Sequence, residues 1–297
     1  TMALGTPLLQ LGLKTNFYEG YDSVQSNADK VATFIKSTAR TENYAWLGAN
    51  PRMRKFNGER APQKLQEYNY VLPNEEYEAS IEVDESDVQD DQTGKYGIQA
   101  KSIGASLKTF PDELLFQTLL PAGNSTICYD GQYFFDTDHP IGETGNVQSN
   151  IGSSALDAAS FAAARTVLRK MQDDQARPTY NQNMDLLLVI PPDLENTAMT
   201  ILNAQVLASG ATNTLYNAAQ VLIVPWLTDT NNWYLLNTAG TLKPFIVQER
   251  EFKAMDSLEE GSADYFMRRK KYYGTFWRGA AGYGLYQKAF ASIVAGG

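Results

Sequence analysis

Lys95-Tyr-Gly-Ile-Gln-Ala-Lys-Ser-Ile-Gly-Ala-Ser-Leu-Lys-Thr-Phe-Pro-Asp-Glu-Leu-Leu-Phe-Gln-Thr-Leu-Leu120 is the stretch on which the rest of the chain depends. Tyr96, Ala100, Ile103, Leu107, Phe110 and Leu114 recur there at steps of four and three. That spacing draws one stripe on a helix and cannot be made by a strand. Pro111 interrupts the sequence but not the phase. A proline inside a helix costs about 3 kcal/mol through a lost hydrogen bond and a crowded preceding turn. Either one helix bends at Pro111, or a second helix starts there with the proline in its first turn. The unbroken phase favours a single bent helix. At about 1.5 Å per residue it would be roughly 39 Å long. Gly97 and Gly104 each weaken it by about 1 kcal/mol relative to alanine, and mark places where another element could pack closely.

Working outward, residues 1–45 are polar with scattered apolar positions, and read as an extended arm with one short helix near Asn27–Ser37. Between Trp46 and Val83 the character is strand and turn, with Asn57-Gly58 and Pro73-Asn74 as turn signals. Tyr77, Ala79, Ile81 and Val83 alternate with Glu76, Glu78, Ser80, Glu82 and Asp84, which predicts a strand with one buried and one acidic face. Gln63–Leu72 is expected to pair with it as a hairpin whose far end is basic through Arg52, Arg54, Lys55, Arg60 and Lys64. Such a hairpin has too small a core to stand alone and must lie on something. The acidic run Asp84–Asp91 suits a helix N-terminus better than a calcium loop, whose glycine and ligand spacing it lacks.

Beyond the long helix, Leu156–Gln172 predicts a helix with Phe161, Ala164, Leu168 and Met171 on one face. Asp185–Ile190 reads as a buried strand stopped by Pro191-Pro192, and Asp193 as the cap of a helix to about Asn203. Gln220–Val224, Trp233–Leu236 and Phe245–Glu249 read as strands. The region 184–250 could be a subdomain inserted into the other. Arg268, Arg269, Lys270 and Lys271 open an aromatic strand-like segment, where alternation would turn two of them inward, toward acidic neighbours in the same or an adjacent subunit.

The chemistry of catalysis is sparse. The chain has 297 residues, a formal net charge of −9, one histidine and one cysteine. The acidic balance argues against a nucleic-acid grip, which needs clustered Lys and Arg. Cys128 cannot form an intrachain disulfide, which suits a reducing compartment. No run of eighteen apolar residues predicts a membrane span, and no secretory leader is expected from the N-terminal residues. No phosphate-binding loop, dinucleotide fingerprint, zinc-protease helix or nucleophile elbow occurs. Asp136, Asp138 and His139 are the only carboxylate–imidazole cluster in sequence. They could hold a metal or supply a base, but DTDHP also fits a hydrogen-bonded turn before a proline. Cys128 reads as a small buried thiol. No cofactor is expected.

Several segments together carry a resemblance: TARTENYAWLG (38–48), FNGERAPQKLQEYNYVLPNEEYEASIEV (56–83), DVQDDQTGKYG (87–97), PDELLFQTLL (111–120), CYDGQYFFDTDHP (128–140) and RGAAGYGLYQKAF (278–290). In that order they resemble the Mu-like phage major head subunit family (gpT), from about residue 38 to the end, with 150–250 matched only in element order. The resemblance implies an α+β chain with the tailed-phage major capsid fold (HK-97-like). It implies an N-terminal arm at 1–45, an extended loop at 46–76, and a peripheral domain at 77–183 and 251–297 built on a spine helix at about 95–120. An axial domain would occupy 184–250. It further implies a structural protein without enzymatic activity. Copies would close into hexamers and pentamers of an icosahedral head around double-stranded DNA, assembled in the host bacterial cytoplasm. Portal, scaffold and decoration proteins are the implied partners, with no membrane. The basic hairpin would lie on a neighbouring subunit, so Arg54, Phe56, Arg60, Lys64, Arg268 and Arg269 are the candidate intersubunit contacts. No scaffolding segment precedes the arm, so a separate scaffold or a removed leader is expected. An encapsulin-like compartment enclosing an enzyme is the alternative with the same fold. A metal-dependent enzyme built on Asp136, Asp138 and His139 is the alternative of a different class.

Overall fold

The computed structural model describes residues 5–44, 47, 70–84, 86–87, 93–142, 144–179, 184–206, 210–258 and 267–294. The long stretch is one continuous helical rod. Helix α3 (Thr93–Asp112) contains Pro111 and passes directly into a π-helical segment, Glu113–Leu119, then a 3-10 turn, Pro121–Asn124. Asp112 and Leu120 both keep right-handed helical dihedrals, so the chain does not break at Phe110–Pro111. In the π segment each N–H reaches five residues back, as from Leu120 to the Leu115 carbonyl at 2.8 Å. The wider turn shifts the phase. Tyr96 and Ala100 are buried as the stripe predicts, but past the proline Leu115, Phe116 and Leu120 take the core positions while Leu114 is half-buried.

The amino-terminal arm is not extended. Gly5–Ser23 forms a 19-residue helix, α1, lying against α3. Asn16 meets Gly97, Gly20 meets Lys101, and Phe17 and Tyr21 meet Gly104, so the two helices run parallel. The contact is backbone on backbone: a Cβ at Gly20 would stand 2.0 Å from the Lys101 carbonyl oxygen, and one at Gly104 would stand 2.1 Å from that of Phe17. The glycines that weaken α3 as a helix are therefore its docking surface. Asn27–Ser37 is only a one-turn helix, α2 (Ala28–Val31), followed by strand β1 (Ala32–Lys36). Asp112 ties this turn to the end of α3, its carboxylate accepting from Ser26 Oγ (2.7 Å), Asn27 N (3.0 Å) and Ala28 N (2.6 Å).

Of the predicted hairpin's first strand, residues 63–69 lie outside the described residues, and the part that is described pairs elsewhere. β2 (Thr41–Asn43) runs antiparallel to β3 (Val71–Pro73), with Asn43 opposite Val71. The acidic strand β4 (Glu75–Asp84) pairs instead with the carboxy-terminal strand β12 (Lys270–Tyr283), Glu75 opposite Gly279 and Asp84 opposite Lys270. With β11 (Phe245–Leu258) these strands form a four-stranded sheet in the order β1-β11-β12-β4. Helices α1 and α3 pack on one face of it, burying Leu13, Tyr96 and Ala100 against Val83 and Tyr273. Further along, Tyr77, Phe110 and Trp277 form an aromatic contact with ring centroids 4.7–5.7 Å apart.

A second sheet has the order β7-β13-β10-β8-β9, comprising Ile151–Gly152, Ala289–Ser292, Trp233–Asn237, Leu186–Ile190 and Gln220–Ile223. All five residues of β8 are buried because the sheet is covered on both faces. Leu186, Leu188 and Ile190 join Phe161, Ala164 and Leu168 of helix α4 (Ala158–Lys170) and Ala198 and Leu202 of helix α5 (Glu195–Leu202). Leu187 and Val189 point the other way, into the central core with Leu115, Phe116, Phe134 and Tyr283. Asp157 caps α4 through a capping box with Ser160. Asp193 does not cap α5; it lies in the 3-10 turn Pro192–Leu194, and Leu194 takes the cap position without a side-chain bond. The strand pair β5 (His139–Pro140) and β6 (Val147–Gln148) lies beside the central core.

Candidate functional site

The proposed catalytic set is taken apart by the fold. Asp136 serves its own turn, accepting from Tyr133 N at 3.2 Å and Thr137 N at 2.7 Å. Asp138 is exposed. His139 is fully buried, and its carboxylate partner is Asp130, nine residues upstream, with Nδ1 and Oδ2 2.7 Å apart. The turn at Gly131, where φ is +90°, folds Asp130 back onto His139. The imidazole stacks on the Tyr286 ring with centroids 3.7 Å apart. Its Nε2 stands 3.2 Å from Asn150 Oδ1. That amide is fixed by Nδ2 donating to the Phe134 carbonyl at 2.8 Å and by Oδ1 accepting from Asp136 N at 2.9 Å.

Cys128 adds a third polar group, its thiol donating to Asp130 Oδ1 at 3.0 Å. Burial works against the Asp130 carboxylate, but the bonds from His139, Cys128 and the Gln132 N–H outweigh it and hold its pKa below the usual value. Burial first, and then the Asp130 charge, push the Cys128 thiol far up, so it is not a nucleophile. Cys128, Asp130 and His139 could together offer a metal three ligand atoms within 4.8 Å of one another. The same atoms already satisfy one another by hydrogen bonds, with side chains 0% exposed at His139 and 2% at Asp130. The arrangement is a buried polar clamp joining the 128–140 loop to Asn150 and Tyr286.

The surface candidates divide in two. Arg54, Phe56, Arg60 and Lys64 lie outside the described residues. Arg268 and Arg269 are exposed and precede β12, with φ of +55° at Arg269, so they do not alternate within a strand. Within β12, Lys270 pairs with Glu82 and lies 3.9 Å from Asp84, while Lys271 is buried on the helix-covered side. The Lys270 hydrogen bond lowers the pKa of Glu82, and the same bond raises that of Lys270. Arg278 Nε lies 3.4 Å from Glu76 on the same outer face.

A helical rod on a long ribbon-like sheet, joined to a second, helix-covered sheet, with no assembled catalytic set among the described residues, defines a shell subunit of the HK-97-like class. The structure superposes on a subunit of the procapsid of bacteriophage JBD30 with a TM-score of 0.62 and 28% identity, covering 99% of this chain and 76% of that one. For the JBD30 capsid the TM-score is 0.58 at 26% identity, covering 68% and 91%. A virus-like particle from Pyrococcus furiosus shares the fold alone, at 10% identity and a TM-score of 0.53.

The sequence profile of the Mu-like prophage major head subunit gpT matches residues 7–155, 148–227 and 228–294, and the chain belongs to that family. It is 28% identical over 284 residues to the Mu-like prophage FluMu major head subunit of Haemophilus influenzae, covering 95% of this chain and 71% of the relative. It is 33% identical over 133 residues to the major capsid protein of Escherichia phage Mu, covering 45% and 43%. The protein is a structural head subunit that packs with copies of itself in a capsid lattice, and is not an enzyme. Among the described residues no helix is long and apolar enough to cross a membrane.

Proposed function

We propose that copies of this chain close into hexamers and pentamers that tile an icosahedral head, which encloses double-stranded DNA without sequence specificity. The observation carrying this reading is the superposition on a procapsid subunit over 99% of the chain. Residues 46–76 act as the extended loop and reach a neighbouring subunit. Residues 77–183 and 251–297 make the peripheral domain along the rod of α3, and residues 184–250 the axial domain at the capsomer centre. The axial sheet is completed by Ile151–Gly152 and Ala289–Ser292 from the flanking segments, so the two domains share strands. Assembly takes place in the bacterial cytoplasm with a portal, a scaffold and a decoration protein.

A shell of this kind needs no strong single interface, because many weak contacts act at once. The acidic balance of −9 suits a container that must not grip its DNA. The test is nuclease protection. Particles assembled with the phage packaging machinery should carry double-stranded DNA that resists added nuclease. Particles that enclose a cargo protein and no protected DNA would overturn the reading in favour of an encapsulin-like compartment.

A further inference from the structure

The rod carries two weak points side by side. Pro111 has no N–H, so the Leu107 carbonyl lacks the donor that residue 111 would supply. Just beyond it, Glu113–Leu119 takes the wider π-helical turn. Helices kink at prolines and at π-bulges, because both interrupt the ladder of backbone bonds. Beside this joint is a cavity lined by Tyr21, Phe34, Leu107, Pro111, Phe252 and Trp277, so a bend toward the sheet has room. Yet the rod stays continuous here, with right-handed helical dihedrals at Asp112 (φ −65°, ψ −42°).

The amino-terminal segment is fastened on both sides of the joint. Before Pro111, α1 rests on α3 backbone to backbone at Gly20 and Gly104. Lys101 Nζ lies 2.6 Å from the Glu19 carboxylate, and Lys108 Nζ lies 4.8 Å from the centre of the Tyr21 ring. After Pro111, the Asp112 carboxylate, on a residue only 5% exposed, accepts from Ser26 Oγ, Asn27 N and Ala28 N. Asn27 holds the cap position of α2 but makes no side-chain cap bond, so Asp112 supplies the acceptor that a cap residue ordinarily provides. From Ala28 the chain runs through α2 into β1, which is paired with β11, Ala32 opposite Phe245 and Lys36 opposite Glu249. The joint is thereby tied through Asp112, α2 and β1 to the four-stranded sheet, by a route that does not pass along the rod.

We propose that residues 16–28 are a splint on the rod: they hold its angle at Pro111, and releasing them lets the rod flex there. Asp112 is the positioning residue of this device. Its consequence, that the splint sets the curvature of the subunit and so the size of the shell, rests on the shell reading above.

The test is hydrogen exchange, read by mass spectrometry on the unassembled full-length chain, at the amides of residues 112–116. Asp112→Ala puts the best helix former into the rod, so local propensity alone predicts slower exchange. The splint predicts exchange at least about tenfold faster. Gly20→Val, whose side chain would meet the Lys101 carbonyl, releases α1 without touching the joint and should speed exchange in the same direction. Adding Pro111→Ala to either variant supplies the missing backbone donor and should return exchange to within about threefold of wild type. A substitution that merely weakens the whole subunit would speed the buried strand Leu186–Ile190 equally, and Pro111→Ala would not correct it. In assembled particles, Asp112→Ala should give shells of mixed diameter by electron microscopy, and Asp112→Ala with Pro111→Ala shells of one diameter. Exchange at 112–116 that is unchanged or slower in both Asp112→Ala and Gly20→Val, or faster exchange that Pro111→Ala leaves as it is, would overturn the proposal. Wild-type chain that forms no shells would instead overturn the shell reading and leave the exchange result to decide the splint.

Discussion

Gly104→Ala sets helix propensity against packing. In an isolated helix the substitution is worth about 1 kcal/mol of stabilisation, because alanine loses less backbone entropy. In the fold the added Cβ would sit 2.1 Å from the Phe17 carbonyl oxygen and 2.9 Å from the Tyr21 nitrogen. Carbon–oxygen contacts close at about 3.3 Å, so α1 must move out by about 1.2 Å along that line. Core strain of this kind costs about 1–3 kcal/mol. The ceiling is complete undocking of α1, which exposes Leu13 and Phe17 at about 1.5–3 kcal/mol each. After the propensity gain of about 1 kcal/mol the net loss is about 0–2 kcal/mol if α1 only shifts and about 2–5 kcal/mol if it undocks. Denaturant unfolding of the unassembled subunit is the assay. Gly20→Ala meets the mirror-image contact with Lys101 and should lose a similar amount. The double variant should lose less than the sum, since helices already displaced by one methyl have room for the other. Gly12→Ala, exposed on α1 with nothing within 4 Å, is the control and should gain about 1 kcal/mol. If Gly104→Ala gains as much stability as Gly12→Ala, α1 does not rest on α3 and the reasoning fails.

Other expected outcomes are read in the same way. His139→Ala should cost about 3–5 kcal/mol in thermal or denaturant unfolding, because it strands the buried Asp130 carboxylate and opens a hole against Tyr286; metal analysis of wild type and variant should show no difference. Asp130 has its pKa lowered in the fold. Its contribution is therefore complete above the ordinary carboxylate pKa of about 3.9 and is lost as pH falls through the lower folded value; an acid titration of Asp130→Asn should lack that loss. Asp112→Asn should cost about 1–3 kcal/mol, since an amide cannot accept from both Asn27 N and Ala28 N as the carboxylate does, and the loss reads out in unfolding of the amino-terminal segment. Deleting Arg54–Lys64 should leave the subunit's unfolding midpoint unchanged and abolish most shell formation by sedimentation. Arg268→Glu with Arg269→Glu, both exposed, should likewise spare thermal stability and reduce assembly.

What could be read in advance depended on whether a residue's partner was near in sequence. The stripe of α3 gave the rod and its passage through Pro111, and the apolar run Leu186–Ile190 gave a buried strand, because both patterns are local. Helix α1 was hidden because its buried positions among the described side chains are Leu13, Phe17 and Gly20, and a glycine adds nothing to a hydrophobic period. The signal that could have found it was the pair Gly97 and Gly104 in α3, which mark the approach of another backbone. The described part of the expected hairpin differs because Val71–Pro73 and Glu75–Asp84 take partners from distant parts of the chain, Thr41–Asn43 and Lys270–Tyr283. The His139 clamp was misread for a related reason: adjacent Asp136 and Asp138 looked like its partners, while the turn at Gly131 brings in Asp130. The shell class was legible through family resemblance and not through any chemistry of the residues.

The most direct measurement is electron microscopy of the full-length chain after purification and assembly, with and without its scaffold. The account predicts closed, icosahedral shells. In a reconstruction of those shells α1 lies along α3. Monomers under every assembly condition would contradict it.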